Sequence, residues 1–375
     1  MAKYRLGDIA PIQQGIPPIE YPCWLLNLDM VESNTGRILE YVYVQPDEIS
    51  SSTVPFDANN VLYSKLRPYL NKVVLPDRAG FATSEMLPLR PDTAIITREY
   101  LTYFLRSPHF VGYINDKTSG AKMPRANTSD LKAVEIECPS LERQKAIVGI
   151  FEHLTTIIDL YQHQLLALDT LIKARFVEMF GDPDLGRTKP DWVPISSIGT
   201  VVGGATPKTN IAEYWDGEYR WLTPAELDTA SWYIYDSVRK LTEAGVRSCS
   251  LTEMPAGTVI LSSRAPIGKV AIAGNTFYCN QGFKNIICNN EVNPIFLYSL
   301  LVMNNDYLNS LGRGATFKEI SKAIVENIRI PVPPYAKQKA FAEFCIQVDK
   351  SKVVVQKALN EARILFNSLM QKYFQ

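Results

Sequence analysis

The sequence predicts an α+β protein made of two tandem mixed α/β domains. Each is followed by a long helix, and the two helices pair as an antiparallel coiled coil. Three observations carry this. The chain has 375 residues, 46% hydrophobic and 21% charged, which is ordinary globular composition and enough length for two or three domains. The chain repeats itself with a period near 194 residues. Each repeat closes on a run of about 40 residues with apolar side chains at helical spacing.

The repeat is visible in four landmarks that keep their order. Pro139-Ser-Leu-Glu-Arg-Gln144-Lys145-Ala146 returns as Pro333-Pro-Tyr-Ala-Lys-Gln338-Lys339-Ala340. Ser119-Gly120-Ala121 returns as Arg313-Gly314-Ala315, and Val61-Leu-Tyr-Ser-Lys-Leu-Arg-Pro68 as Val259-Ile-Leu-Ser-Ser-Arg-Ala-Pro266. The starts agree as Leu6-Gly-Asp-Ile-Ala before Gly15 and Ile195-Ser-Ser-Ile-Gly before Gly203-Gly204. A unit this long is a duplicated domain, not a solenoid repeat.

Within each domain, β-branched and aromatic runs bounded by turn residues predict strands at Leu39–Val44, Asn60–Ser64, Lys72–Leu75, Gly257–Leu261 and Lys269–Ala273. Helices are expected over Arg98–Arg106 and Ile295–Met303. The first long helix opens after Pro139 with Ser140 as N-cap and Glu142 in its first turn. Its predicted stripe is Ile147, Ile150, Leu154, Ile157, Tyr161, Leu165, Leu168, Ile172, Phe176 and Met179, and Gly181 and Pro183 stop it. The second opens after Pro333-Pro334, with a stripe through Ala340, Phe344, Val348, Ser351, Val355, Ala358, Ala362, Phe366, Leu369 and Tyr373. Small residues at Ser351, Ala358 and Ala362 would admit a close partner. The boundaries that follow are a domain over 1–139, a spacer helix over 140–180, a linker over 181–191, a second domain over 192–333 and a second helix over 334–375. At ~1.5 Å per residue each helix is roughly 55–60 Å long, too long for one small domain to cover, so mutual pairing is expected. Separate packing of each helix on its own domain is the alternative.

Composition excludes several function classes. Lys+Arg and Asp+Glu both number 39, so the protein is not a uniformly basic nucleic-acid binder, although a local basic patch is compatible with this balance. Six cysteines form no C-x-x-C pair, and His109, His153 and His163 offer no metal pair, so reduced thiols and no metal site are expected. No apolar segment follows Met1-Ala-Lys-Tyr-Arg and none is long enough for a membrane helix, so a cytoplasmic protein is expected. Gly268-Lys269 lacks the upstream glycine of a P-loop, and no G-x-S-x-G or H-E-x-x-H occurs. Val332-Pro-Pro-Tyr335 has Val332 where an amino-methyltransferase motif needs a polar residue. No catalytic constellation remains, and a binding protein without chemistry of its own is expected.

These residues resemble the specificity (S) subunit of type I restriction–modification enzymes, over essentially the whole chain. The markers are the Leu6-Gly-Asp-Ile-Ala opening, the Gly203-Gly204-Ala-Thr206-Pro207 turn, the Ser119–Pro124 and Arg313–Lys318 loops, and the two Pro-x-x-x-x-Gln-Lys-Ala helix starts. The first repeat departs from the pattern, with Gln13-Gln14-Gly15-Ile16-Pro17 where a Gly-Gly-Thr-Pro-like turn is usual. The resemblance implies two target-recognition domains, each reading half of a split site on double-stranded DNA. It implies helices that space these domains and dock two methyltransferase (M) subunits, with restriction/translocase (R) subunits joining them. The chain itself would carry no cofactor, and S-adenosylmethionine, ATP and Mg would belong to the partner subunits. Two other readings stay open, a specificity adaptor of a methylation-only system and a non-DNA coiled-coil protein scaffold.

Candidate DNA contacts lie in matched loops. In the first repeat they are Lys65, Arg67, Tyr69, Lys72, Lys122 and Arg125; in the second, Lys208, Ser263, Arg264, Lys269, Arg313 and Lys318. Arg67 and Arg264 suit base or groove readout, and Lys122, Arg125 and Lys318 suit phosphates. The aromatic cluster of Tyr214, Trp215, Tyr219, Trp221, Trp232, Tyr233 and Tyr235 is expected to pack in cores and on strand faces.

Overall fold

The computed structural model describes residues 2–118, 120, 122–227, 231–264, 266–313 and 318–375. Ser119 and Ala121 of the first loop motif, and Gly314, Ala315, Thr316 and Phe317 of the second, lie outside the described residues. Two compact units form, Met1–Gln162 with Gln356–Gln375, and His163–Val355.

The first unit holds nine strands among its described residues: β1 (Ala2–Arg5), β2 (Cys23–Leu26), β3 (Val42–Val44), β4 (Thr53–Phe56), β5 (Val61–Ser64), β6 (Val73–Val74), β7 (Gly80–Thr83), β8 (Met86–Leu89) and β9 (Glu135–Cys138). They form a pair β1-β9, a sheet β3-β2-β7-β4 and a sheet β6-β5-β8. Of the strand expected over Leu39–Val44, only Val42–Val44 forms. Helices at Arg98–Arg106 and Pro108–Asn115 cover the β5 side, where Tyr63, Leu101, Phe104 and Phe110 are buried. A second core gathers Trp24, Leu26, Phe56, Leu62 and Met86.

The second unit holds β10 (Val193–Pro194), β11 (Gly199–Val202), β12 (Trp215–Leu222), β13 (Tyr233–Ile234), β14 (Arg239–Leu241), β15 (Val259–Leu261), β16 (Val270–Ala273), β17 (Tyr278–Cys279), β18 (Asn285–Cys288) and β19 (Arg329–Ile330). Its sheets are β10-β19, β11-β18-β15-β16-β13 and β14-β12-β17. Trp215, Trp221 and Trp232 are buried, as core packing requires, whereas Tyr235 is exposed. The duplication extends to single hydrogen bonds. Leu6 N–H donates to Val134 C=O at 2.8 Å and Ile195 N–H to Ile328 C=O at 2.9 Å, each where a short opening helix leaves its strand pair.

The two long helices run over Leu141–Phe180 and Tyr335–Tyr373. Ser140 caps the first through its Oγ, which accepts from Arg143 N–H at 3.3 Å, and Gly181 ends it at φ +83°. In the first unit, Phe151 at the start of the first helix meets Phe366, Tyr373 and Phe374 from the end of the second, with ring centroids 5.2, 6.2 and 5.8 Å apart. In the second unit, Phe176 and Phe180 from the end of the first helix meet Phe341 at the start of the second, at 5.4 and 5.5 Å. Start meets end in both units, which is antiparallel pairing. Each helix finishes in the core of the other repeat, so the helices do not fold back separately and the compact units divide inside them.

Most of both predicted stripes turns inward, with Ile147, Leu154, Phe176, Val348, Val355 and Ala362 buried, and four positions depart from it. Ile150 and Ile157 are 38% and 40% exposed, and Val148 and Phe151 go inward instead. Ala340 and Ser351 are exposed while Phe341 and Cys345 are buried. Where they depart, the aromatics Phe151 and Phe341 take the inward place and the residues one position away, Ile150 and Ala340, turn outward. No small residue opens the seam at 351. Lys352 lies across it, its Nζ 2.7 Å from the Asp169 carboxylate.

The segment expected as a linker is also pinned down. Leu185 is 1% exposed in the second unit's core, its N–H donates to Asn304 Oδ1 at 2.8 Å, and Asn304 Nδ2 donates to Pro183 C=O at 2.7 Å. One leucine and one asparagine suffice to seat this turn-rich segment.

The helix-start motif has a physical purpose. Gln144 is fully buried; its Oε1 accepts from Thr97 N–H at 2.9 Å and its Nε2 donates to Ile95 C=O at 2.8 Å and Pro139 C=O at 2.9 Å. Gln338 repeats this with Asn293 N–H at 2.8 Å, Glu291 C=O at 3.0 Å and Pro333 C=O at 2.7 Å. Thr97 and Asn293 are the N-caps of the helices Arg98–Arg106 and Pro294–Met303. One buried amide thus satisfies three backbone groups. Replacing Gln144 or Gln338 with Ala is expected to cost ~1–3 kcal/mol of the affected unit's stability, read as a lowered urea midpoint for that transition. Replacement with Glu should recover little, because it cannot donate to the two carbonyls.

Candidate nucleic-acid interface

The predicted contact loops are built on one backbone lattice used twice. In the first repeat, Lys65 N–H donates to Glu85 C=O at 2.9 Å, and Ala126 N–H donates to Lys65 C=O at 2.8 Å. In the second, Ser263 N–H donates to Gly282 C=O at 2.8 Å, and Ile320 N–H to Ser263 C=O at 2.9 Å. Bridges Leu66↔Arg125 and Arg264↔Glu319 complete the match. The segment leaving β5 or β15 is therefore clasped between two neighbours. Lys65 corresponds to Ser263, Leu66 to Arg264, and Arg125 to Glu319.

This lattice sorts the candidate residues. Arg67, Tyr69, Lys122, Lys208, Arg313 and Lys318 are exposed, and Lys65 is half-buried. Arg67 sits at φ +48°, held by its N–H on Pro124 C=O at 2.7 Å, so its side chain leaves from a fixed left-handed corner.

Three expected contacts point elsewhere. Ser263 is fully buried, its backbone spent on the lattice and its Oγ 3.3 Å from Lys284 Nζ. Lys72 turns inward, its Nζ 2.6 Å from Leu28 C=O, and burial lowers the pKa of its ammonium. Lys269 also turns inward in the second repeat, its Nζ 3.0 Å from Leu227 C=O. Each lysine stands just before a hairpin strand, β6 or β16, its own C=O accepting from Ser64 or Ser262 N–H, and its ammonium ties that hairpin to Leu28 or Leu227.

Ion pairs occupy two more. Arg125 chelates Glu85, with Nε to Oε1 at 3.1 Å and Nη2 to Oε1 at 2.9 Å. Arg264 Nε lies 3.0 Å from Glu319 Oε2, and Lys284 Nζ lies 3.2 Å from Glu319 Oε1. Lys284 escaped the sequence reading because it falls outside the duplicated motifs.

The departing first-repeat turn keeps its essential residue. A Cβ on Gly15 would stand 2.3 Å from Asp57 N, and one on Gly204 would stand 1.9 Å from Cys279 O. Both turns need glycine for close backbone approach. Asp57 holds the first turn by accepting from Ile16 N–H at 2.9 Å and from Arg90 at 2.8 Å, and it also accepts from Asn59 N–H at 2.7 Å. Burial alone would raise its carboxyl pKa, but these donors outweigh burial and bring it down to about 2. Beside it, a groove of about 470 Å³ is lined by Ile16, Trp24, Tyr43 and Arg78.

A family model for the type I restriction modification DNA specificity domain matches residues 1–169 and again residues 190–362. The chain belongs to this family. The two specificity-domain matches fall on the two sequence repeats. Among curated relatives, the type I restriction enzyme MjaIX specificity subunit of Methanocaldococcus jannaschii is 40% identical over 177 residues, covering 46% of this chain and 41% of that protein. The EcoDI specificity subunit of Escherichia coli is 28% identical over 162 residues, covering 43% and 36%. The chain thus spans less than half the length of these two relatives. Two solved structures share the fold of this specificity-domain protein. One is a chain from a type I R-M system studied for its complex assembly and conformational transition, with TM-score 0.65 at 18% identity, covering 100% of this chain and 97% of that one. The other is the S subunit of a type I system from M. genitalium, with TM-score 0.60 at 15% identity, covering 100% and 96%. Among the described residues no helix is long and apolar enough to cross a membrane.

Two outcomes follow. Asp57 is ionised in the folded state down to about pH 2, against an ordinary value of 3.8. Its contribution is complete above that ordinary value and is lost as pH falls toward 2. Melting curves of Asp57→Asn should show a flatter loss of stability over that window than the parent. Lys72→Met and Lys269→Met should lower the melting temperature while leaving the salt dependence of DNA binding unchanged; a shallower salt slope would return both lysines to the interface.

Proposed function

We propose that the chain is the DNA sequence-specificity subunit of a type I restriction–modification complex. Its two repeats act as target-recognition domains on a bipartite double-stranded DNA site. Its long helices dock two methyltransferase subunits, through which restriction/translocase subunits join. The observation that carries this reading is the twice-built loop lattice, which presents Arg67 and Tyr69 in one repeat and Arg264, Arg313 and Lys318 in the other. Duplicated modules suit two half-sites of one duplex, and arginine is the side chain best matched to guanine edges.

The helices fit the docking role. Leu160, Leu166 and Leu171 on the first, and Val353, Val354, Ile364 and Leu365 on the second, are exposed. Each unit thus leaves apolar side chains of both helices open to solvent, which supports a partner surface on the helices. In this reading the chain is non-catalytic and cytoplasmic, and it binds no cofactor. S-adenosylmethionine, ATP and Mg²⁺ act on the partner subunits, and the chain decides only where their chemistry happens.

Co-expression with the methyltransferase subunit and mapping of methylated adenines tests this directly. The expected result is a single split motif, altered in one half only when one repeat is exchanged for that of another family member. Methylation without a motif, or none that depends on this chain, would overturn the proposal and favour a protein scaffold.

A further inference from the structure

Both loop lattices carry a carboxylate placed on the cations assigned to DNA, yet the two repeats reach this by opposite arrangements. In the first, the acid is Glu85 on the turn before β8, and the cation is Arg125 on the later segment. In the second, the later segment supplies the acid, Glu319, and its cations are Arg264 and Lys284. Position 125 corresponds to 319, so the sign at one site has inverted while the pairing has persisted. Scaffolding alone does not account for this. The backbone lattice already fixes these segments through its own hydrogen bonds, and both arginines sit at the surface, Arg125 44% and Arg264 48% exposed, while Lys284 beneath Glu319 is largely buried. Exposed pairs of this kind add little stability.

We infer that Glu85 and Glu319 are internal competitors for the DNA phosphates, and that they set specificity by weakening binding to non-target sequence. A carboxylate offers a guanidinium a pair of anionic acceptor oxygens, as a phosphate does. While it is in place, a passing duplex meets cations whose charge is already answered. Non-specific affinity depends on the number of phosphates neutralised, so it is reduced by each cation so held. A duplex that seats the recognition loops draws Arg264 or Arg125 away from its partner, and full contact is made only there. Burial favours the neutral form of Glu319, but the hydrogen bonds from Lys284 and Arg264 outweigh it and lower its pKa, so the competitor is charged at neutral pH.

This inference rests on the DNA-binding reading, and one experiment separates their failures. The full chain and its Glu85→Gln and Glu319→Gln variants are titrated, across a salt series, with a duplex carrying the mapped target and with one in which both half-sites are scrambled. Glutamine keeps the size and an acceptor oxygen, and a melting curve for each variant confirms that it folds. The expected result is tighter binding of the scrambled duplex. The slope of log K against log salt should steepen by about 1 for each variant, with a smaller gain on the target. Unchanged binding of the scrambled duplex by both folded variants, or weaker binding of both duplexes, would overturn the inference and leave the DNA reading intact. Binding of neither duplex by the parent chain would overturn both.

Discussion

A helix of about 40 residues with one apolar face cannot stay folded alone in water, and this chain contains two. Everything else in the structure answers that constraint. Pairing the helices antiparallel covers the middle of each, but the ends need a core. Phe374 and Met370 find theirs beside Phe151 and Tyr100, and Phe176 finds its own beside Phe296 and Phe341. Neither repeat therefore has a complete core from its own sequence. The division into compact units falls within the helices because that is where contact with one core gives way to contact with the other.

Local signals made much of this legible. Prolines and glycines marked the helix boundaries, β-branched runs marked β5, β15 and β16, and the duplicated Gln-Lys-Ala marked the helix starts. The helical face was harder. A list of aliphatic positions three or four apart admits two neighbouring faces, and only packing decides between Ile150 and Phe151. The seating of the linker was hidden for a related reason: Leu185 looks like any residue in a turn-rich stretch until Asn304, far along the chain, is brought beside it. The purpose of Gln144 and Gln338 was equally hidden, since a buried amide is recognised by the backbone groups around it.

The candidate interface was legible as a region and less so as residues. Cations at matched places in two repeats pointed to loops that the structure builds on one backbone lattice. They did not reveal that Lys72 and Lys269 serve hairpins, that Ser263 lies beneath the surface, or that Arg125 and Arg264 already have acidic partners. A cation in sequence carries no direction. Its side chain can reach solvent, a carbonyl or a carboxylate, and those choices follow from neighbours such as Leu28, Leu227, Glu85 and Glu319.

The inverted ion pairs also bear on how such a chain can diversify. Exchanging only the segment around position 319 for its counterpart around 125 would set arginine against Arg264 and Lys284, and the reverse graft would set two acids face to face at Glu85. Recombination that cuts between the two sides of a loop is therefore penalised by like charges. Crossovers that carry both sides together, such as those falling inside a long helix, leave every pair matched.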